Sequence, residues 1–243
     1  MGGRGSKSGN LSSPVIQPVY GVGDNATAGY SITDDQKKAL YKYTSGLSIN
    51  GRLGAVDGDV TQLDEYDKKY VKNLDDSMKY FGWNETAHGT DLIRGGGGII
   101  VGVPTTMKFQ STQALADWIN NNRLGTRNMN VGYTSITHED NVYTAGSFAS
   151  SYPNSIILEY DRIGKGMRGV YVSGSGGTGK TNQGGHTQEA ISAFGSSEKE
   201  TLLQRNVVTI PQYAYVGDDG RCHVVVWAYP KGKNMTGDTN KGI

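Results

Sequence analysis

Two glutamates, Glu198 and Glu200, stand one residue apart at the head of a short apolar run, Thr201-Leu202-Leu203. On a strand, side chains two apart project to the same face, so both carboxylates are expected to point into one cleft. Two negative charges on one face repel, and a fold places them there with a cation or an electrophile to meet them. Taken alone, the pair fits a solvated strand edge better. Arg94, with Gly95 behind it, offers a planar, permanently charged fork of the kind that pairs with phosphate oxygens. Glycines after the arginine let a ligand approach backbone amides closely. By itself this motif also fits a surface arginine at a strand end. A third stretch, Gly132-Tyr133-Thr134-Ser135-Ile136-Thr137, is rich in hydroxyls and β-prone.

One further motif has to be weighed. Gly174-Ser175-Gly176-Gly177-Thr178-Gly179-Lys180-Thr181 matches the phosphate-loop pattern Gly-x4-Gly-Lys-Thr and follows an expected strand. A phosphate loop also needs a helix opening at its lysine, whose amides cradle the phosphate. The chain instead continues Asn182-Gln183-Gly184-Gly185-His186, a poor helix, and no βαβ series follows. Residues 174–189 are therefore read as an inserted flexible loop. His88, His138, His186 and His223 have no metal-ligand spacing, and no metal is implied.

Composition bounds the setting. The chain has 243 residues, enough to bury a substantial core. A net charge of +1 argues against a dedicated nucleic-acid or membrane-surface binder. Cys222 is the only cysteine, which excludes an intrachain disulfide and a cysteine-based zinc cluster. No apolar run reaches membrane-spanning length, and the first residues lack the hydrophobic stretch of a secretion signal. The expected location is cytoplasmic, or delivery into a target cell's cytoplasm without such a signal. Thirty-six glycines, clustered among Ser, Thr and Asn, indicate many turns around a β-rich core.

The elements that must position the motifs follow from periodicity. Residues 1–30 read as a flexible arm, 31–230 as the functional domain and 231–243 as a polar tail. A helix is expected from the Ser31-Ile32-Thr33-Asp34 start to Thr44, one over residues 60–80, where Leu63, Tyr66, Tyr70, Leu74 and Met78 recur at spacings of three and four, and one over residues 111–122. A short strand is expected at Asp91-Leu92-Ile93-Arg94, ending in the glycine run. Further strands are expected over residues 132–137, 155–160, 169–173, 200–203, 206–210 and 223–229, with Asp218-Asp219-Gly220 as a hairpin turn. Helices first and short strands later indicate an α+β fold with two packed sheets forming a cleft.

Together the motifs resemble mono-ADP-ribosyltransferases, especially the enzymatic components of actin-modifying binary toxins. Ala190-Ile191-Ser192-Ala193-Phe194 running into Glu198-Lys199-Glu200-Thr201-Leu202-Leu203 is similar to the family's aromatic loop, Glu-x-Glu and strand. Tyr133-Thr134-Ser135-Ile136-Thr137 resembles its aromatic-x-Ser-Thr-Ser strand, departing at Ile136 and Thr137. Leu92-Ile93-Arg94-Gly95 resembles its arginine strand, and residues 43–53 its helix–turn–helix opening. The resemblance implies an ADP-ribosyltransferase-like fold, with N-terminal helices packed on a two-sheet β-sandwich around an NAD cleft. It implies NAD as substrate, with Arg94, Gly95, Ser135, Thr137 and Glu200 binding it. Glu200 would hold the nicotinamide ribose and stabilise positive charge, Ser135 would fix the Glu200 rotamer, and Glu198 would orient and deprotonate the acceptor. Phe194 would help recognise a protein target bearing an accessible arginine. Arginine is expected because family members directed at asparagine or cysteine generally carry Gln at the first glutamate position. The alternatives are an NAD glycohydrolase on the same fold, or a catalytically silent virion- or toxin-associated module. The toxin-like motifs would suit a bacterial or phage effector acting in a bacterial or host cytoplasm.

Overall fold

In a computed structural model the described residues are 32–46, 49–79, 81–83, 86–138, 141–174, 190–195 and 197–232. The expected N-terminal arm, the phosphate-loop lookalike beyond Gly174 and the tail beyond Gly232 lie outside them. The chain opens with helices α1 (Asp34–Thr44), α2 (Asn50–Ala55) and α3 (Glu65–Met78). Thr33 starts α1 through a reciprocal capping box with Gln36, and Asp34 and Asp35 complement the positive helix end. The helix expected over residues 60–80 is interrupted. Val60–Gln62 form a single 3-10 turn, Leu63 is extended, and the Asp64 carboxylate caps α3 by accepting from the Asp67 amide at 2.8 Å.

Among the described residues nine strands follow: β1 (Ala87–His88), β2 (Leu92–Gly97), β3 (Asn128–Asn130), β4 (Thr134–His138), β5 (Ser155–Ile163), β6 (Gly169–Tyr171), β7 (Thr201–Leu203), β8 (Val207–Val216) and β9 (Cys222–Pro230). Helix α4 (Thr112–Asn122), capped by Ser111, precedes β3, and α5 (Val142–Ala149) lies between β4 and β5. The hydrogen-bonded order is β3-β8-β9-β5-β2-β4-β7-β6, with β1 also on β5. All pairings are antiparallel except β5 with β9. The architecture is α+β, as expected from the element order.

The join between β2 and β4 creates the cleft. Their ladder holds at Leu92↔His138 and Ile93↔Thr137 and then parts. Beyond it β2 continues on β5, while β4 continues on β7, where Ser135 faces Leu202. The glycine run does not end β2, as the sequence pattern suggested. Gly95, Gly96 and Gly97 pair with Ile157, Ile156 and Ser155, because the ladder supplies partners that local propensity does not.

Two apolar layers hold the halves in place. Leu40, Leu53, Leu74 and Met78 of α1–α3 pack on Tyr133, Val170 and Leu202 around β4, β6 and β7. Leu115, Ala116 and Ile119 of α4 pack on Ile156, Leu158, Val224 and Val226. These continuous apolar runs suit strands covered on both faces. Asn50 binds both sides of the Tyr133 backbone, accepting from its amide at 2.8 Å and donating to its carbonyl at 2.9 Å. The helical layer thus fixes where β4 enters the sheet. No helix among the described residues is long and apolar enough to cross a membrane.

Candidate active site

A cavity of about 360 Å3 opens where β2 and β4 part, and Arg94, Ser135, Phe194, Glu198 and Glu200 all line it. The structure therefore gathers the three sequence motifs, though not by the geometry first expected. Glu198 and Glu200 do not share a strand face, since β7 begins only at Thr201. They sit on a turn in which Lys199 has φ 47°, the left-handed region, and that turn brings both carboxylates to the cavity.

Glu200 is buried, at 4% exposure, and firmly held. Ser135 Oγ donates to one carboxylate oxygen at 2.5 Å, and Ser192 Oγ donates to the other at 3.1 Å. Its amide donates to Ser173 Oγ at 3.0 Å. Burial pushes its carboxyl above the ordinary range, while the two hydroxyls act against that shift. Ser135 thus makes the contact expected of it. Ser192 was not anticipated, although it lies in the loop that carries Phe194, and a hydroxyl two residues before the aromatic is the signal that could have marked it.

Glu198 is half-buried, and burial together with the neighbouring Glu200 charge raises its carboxyl to about 7. Thr137, expected among the cofactor-binding residues, lines the cavity. Its hydroxyl donates to the Glu198 carbonyl at 2.5 Å, a bond that also holds the turn. Ile136 packs in the core beneath the cleft, at 2% exposure. Phe194 stands at the cavity rim, 53% exposed rather than tucked into the core.

Arg94 lines the cavity, and its charge acts on the buried Tyr160 phenol of β5, opposing the upward shift that burial imposes there. That partner lies far along the chain, and no local pattern announces it. Gly95 also lines the cavity, and a second reason for glycine appears there. A Cβ would meet the Ala145 carbonyl oxygen at 1.7 Å, so the missing side chain admits helix α5. Through that contact α5 becomes a cavity wall, contributing Thr144, Ala145 and Phe148. Local sequence does not announce this helix, because Asn141-Val-Tyr-Thr-Ala-Gly-Ser-Phe-Ala mixes β-branched residues and glycine.

The arrangement is chemically specific. A fixed, buried carboxylate can stabilise a cationic carbon, and a second near neutrality can take up a proton. A guanidinium at the far wall can hold phosphate oxygens. The family model described as ADP-ribosyltransferase exoenzyme matches residues 19–228.

The chain belongs to the ADP-ribosyltransferase exoenzyme family.

It is a transferase whose substrate is NAD, and the donor set lining the cavity fits that ligand. Solved structures with the same fold include an ADP-ribosyltransferase from Clostridium botulinum, at 18% identity, 84% coverage of this chain, 90% of that one and a TM-score of 0.60. A protein from S. aureus, solved with NAD, is 20% identical over 84% of this chain and 90% of its own, with a TM-score of 0.60. The enzymatic component of the Clostridium botulinum C2-toxin is 18% identical and covers 84% of this chain, which spans 44% of that larger protein, with a TM-score of 0.52. No curated protein sequence matches the transferase.

Proposed function

We propose that this transferase moves ADP-ribose from NAD to the guanidinium of an arginine on a target protein. The observation that carries the reading is the second carboxylate, Glu198, held in the same cavity as Glu200 with its acidity shifted to about 7. An arginine arrives as a cation with no lone pair to offer, so its attack requires both charge pairing and a base. A neutral amide acceptor would need neither from a carboxylate.

Arg94, on the cavity wall, would hold pyrophosphate oxygens of NAD. Glu200, locked by Ser135 and Ser192, would grip the nicotinamide ribose and stabilise positive charge at its anomeric carbon. The bond from that carbon to the nicotinamide nitrogen breaks, and its electron pair leaves with nicotinamide. The arginine nitrogen forms the new bond to the same carbon, and its proton passes to Glu198. NAD and arginine thus become ADP-ribosylarginine, nicotinamide and a proton. Phe194 at the rim would meet the target protein. The toxin-like kinship supports an effector that works in the cytoplasm of a recipient cell, with residues 31–230 as the transferase unit.

The test supplies NAD with and without agmatine, a small guanidine acceptor, and follows nicotinamide release and product mass. Formation of ADP-ribosylagmatine is the expected result. Nicotinamide release with free ADP-ribose as the only product would overturn the arginine reading in favour of a glycohydrolase.

A further inference from the structure

The turn that presents Glu198 is held by a side chain outside all three motifs. Lys199 lies at φ 47°, where the Cβ of an L-residue crowds its own backbone. Such a turn persists only when its surroundings determine it. Two side chains converge on the peptide oxygen just before it. Thr137 Oγ1 donates to the Glu198 carbonyl at 2.5 Å, and Asn141 Nδ2 donates to the same oxygen at 3.0 Å. Asn141 Nδ2 also lies 3.4 Å from the Ser197 carbonyl and 3.2 Å from Thr137 Oγ1. With its proton directed at Glu198, the Thr137 oxygen is free to accept from Asn141.

The direction of the Asn141 amide is set locally. Its Oδ1 accepts from Thr144 Oγ1 at 2.8 Å, which turns both N–H donors toward the glutamate turn. Asn141 stands at the N-terminal boundary of α5, yet its side chain makes no capping bond to that helix. Its donors serve the turn instead of the helix. It therefore joins α5, a wall of the NAD cavity, to the backbone that carries Glu198.

We propose that Asn141 is a positioning residue for transfer: by clamping the Ser197–Glu198 carbonyls to α5 it sets how the Glu198 carboxylate enters the cavity. This rests on the reading of Glu198 as the acceptor-side base. Glu200 is held by a separate set, Ser135, Ser192 and Ser173, so the clamp divides the two halves of the reaction.

Asn141→Ala tests it, because the substitution removes the donors without removing a helix cap. Misplacing one catalytic group lowers turnover roughly 10- to 100-fold. That loss is expected in kcat for ADP-ribosylagmatine formation. The KM for NAD and the rate of NAD hydrolysis without acceptor should stay close to wild type. Hydrogen exchange should quicken at the amides of residues 197–199 and remain unchanged at Glu200 and in β4 and β7. Hydrolysis and transfer falling in parallel, or transfer at the wild-type rate, would overturn the proposal. If Asn141→Ala does not fold, Asn141→Leu keeps most of the side-chain volume while removing the donors, and it carries the same expectation. A wild type that releases nicotinamide yet leaves agmatine unmodified would count against the arginine reading alone, since the exchange measurement on Asn141→Ala needs no acceptor.

Discussion

Glu200 is buried with a hydroxyl on each carboxylate oxygen, whereas Glu198, two residues earlier, is half-buried and close to neutrality in its acidity. The first environment suits a fixed anion facing a developing cation, the second a base that loads and releases a proton. Glu200→Gln is expected to lower both NAD hydrolysis and transfer by roughly 10²–10³-fold, the scale of one lost electrostatic or acid–base group. Glu198→Gln is expected to lower transfer to agmatine to a similar degree while leaving hydrolysis largely intact. Parallel nicotinamide and ADP-ribosylagmatine assays of the two variants check this, and equal losses in both variants would contradict the division of labour. Because Glu198 must be a carboxylate to accept a proton, transfer by wild type should rise with pH through about 7. Hydrolysis measured alongside should not share that limb.

Helix α5 is the element on which the cavity depends most. It rests on β2 at Gly95, walls the NAD space with Thr144, Ala145 and Phe148, and reaches the glutamate turn through Asn141. Gly95→Ala would drive a methyl group into the Ala145 backbone carbonyl, which has no rotamer to move, so the helix itself must shift. The expected cost is about 1–3 kcal/mol of stability, the range for overpacking, together with weakened NAD binding. Gly96→Ala is the control, since its methyl would meet only the flexible end of Ile100. Thermal midpoints and NAD titrations of the two variants should separate them, and equal behaviour would remove the helix-packing role given to Gly95.

For the whole molecule, the site imposes a pH-dependent cost. The Glu198 carboxyl sits near 7 when folded against an ordinary value of 4.5, so folding favours its protonated form. Below 4.5 it is protonated in both states and carries no penalty. As pH rises from there through about 7 the unfolded chain releases the proton first, and this group's contribution to stability is lost. Glu198→Gln cannot ionise, so its thermal midpoint should exceed that of wild type above about pH 7 and match it near about pH 4. A difference that is absent at high pH, or larger at low pH, would show that Glu198 is not held in this way. The fold accommodates the burden because α1–α3 brace β4 and β7 from behind, through their shared apolar layer and the Asn50 clasp on Tyr133.

The reacting groups were legible in the sequence because they occur in short motifs. Glu198, Glu200, Ser135 and Arg94 could each be named from neighbours within a few positions. Most of the major helices and strands were legible as well, since apolar periodicity is a local signal. Tertiary structure decided how those groups meet. The two glutamates converge through a left-handed turn, against the strand alternation that their spacing suggests. Thr137 also holds that turn, and Gly95 also admits α5, contacts that their motifs do not announce. Asn141 and α5 itself act through partners distant along the chain. Their roles come from chain closure and packing, which bring together groups whose local sequence carries no record of one another.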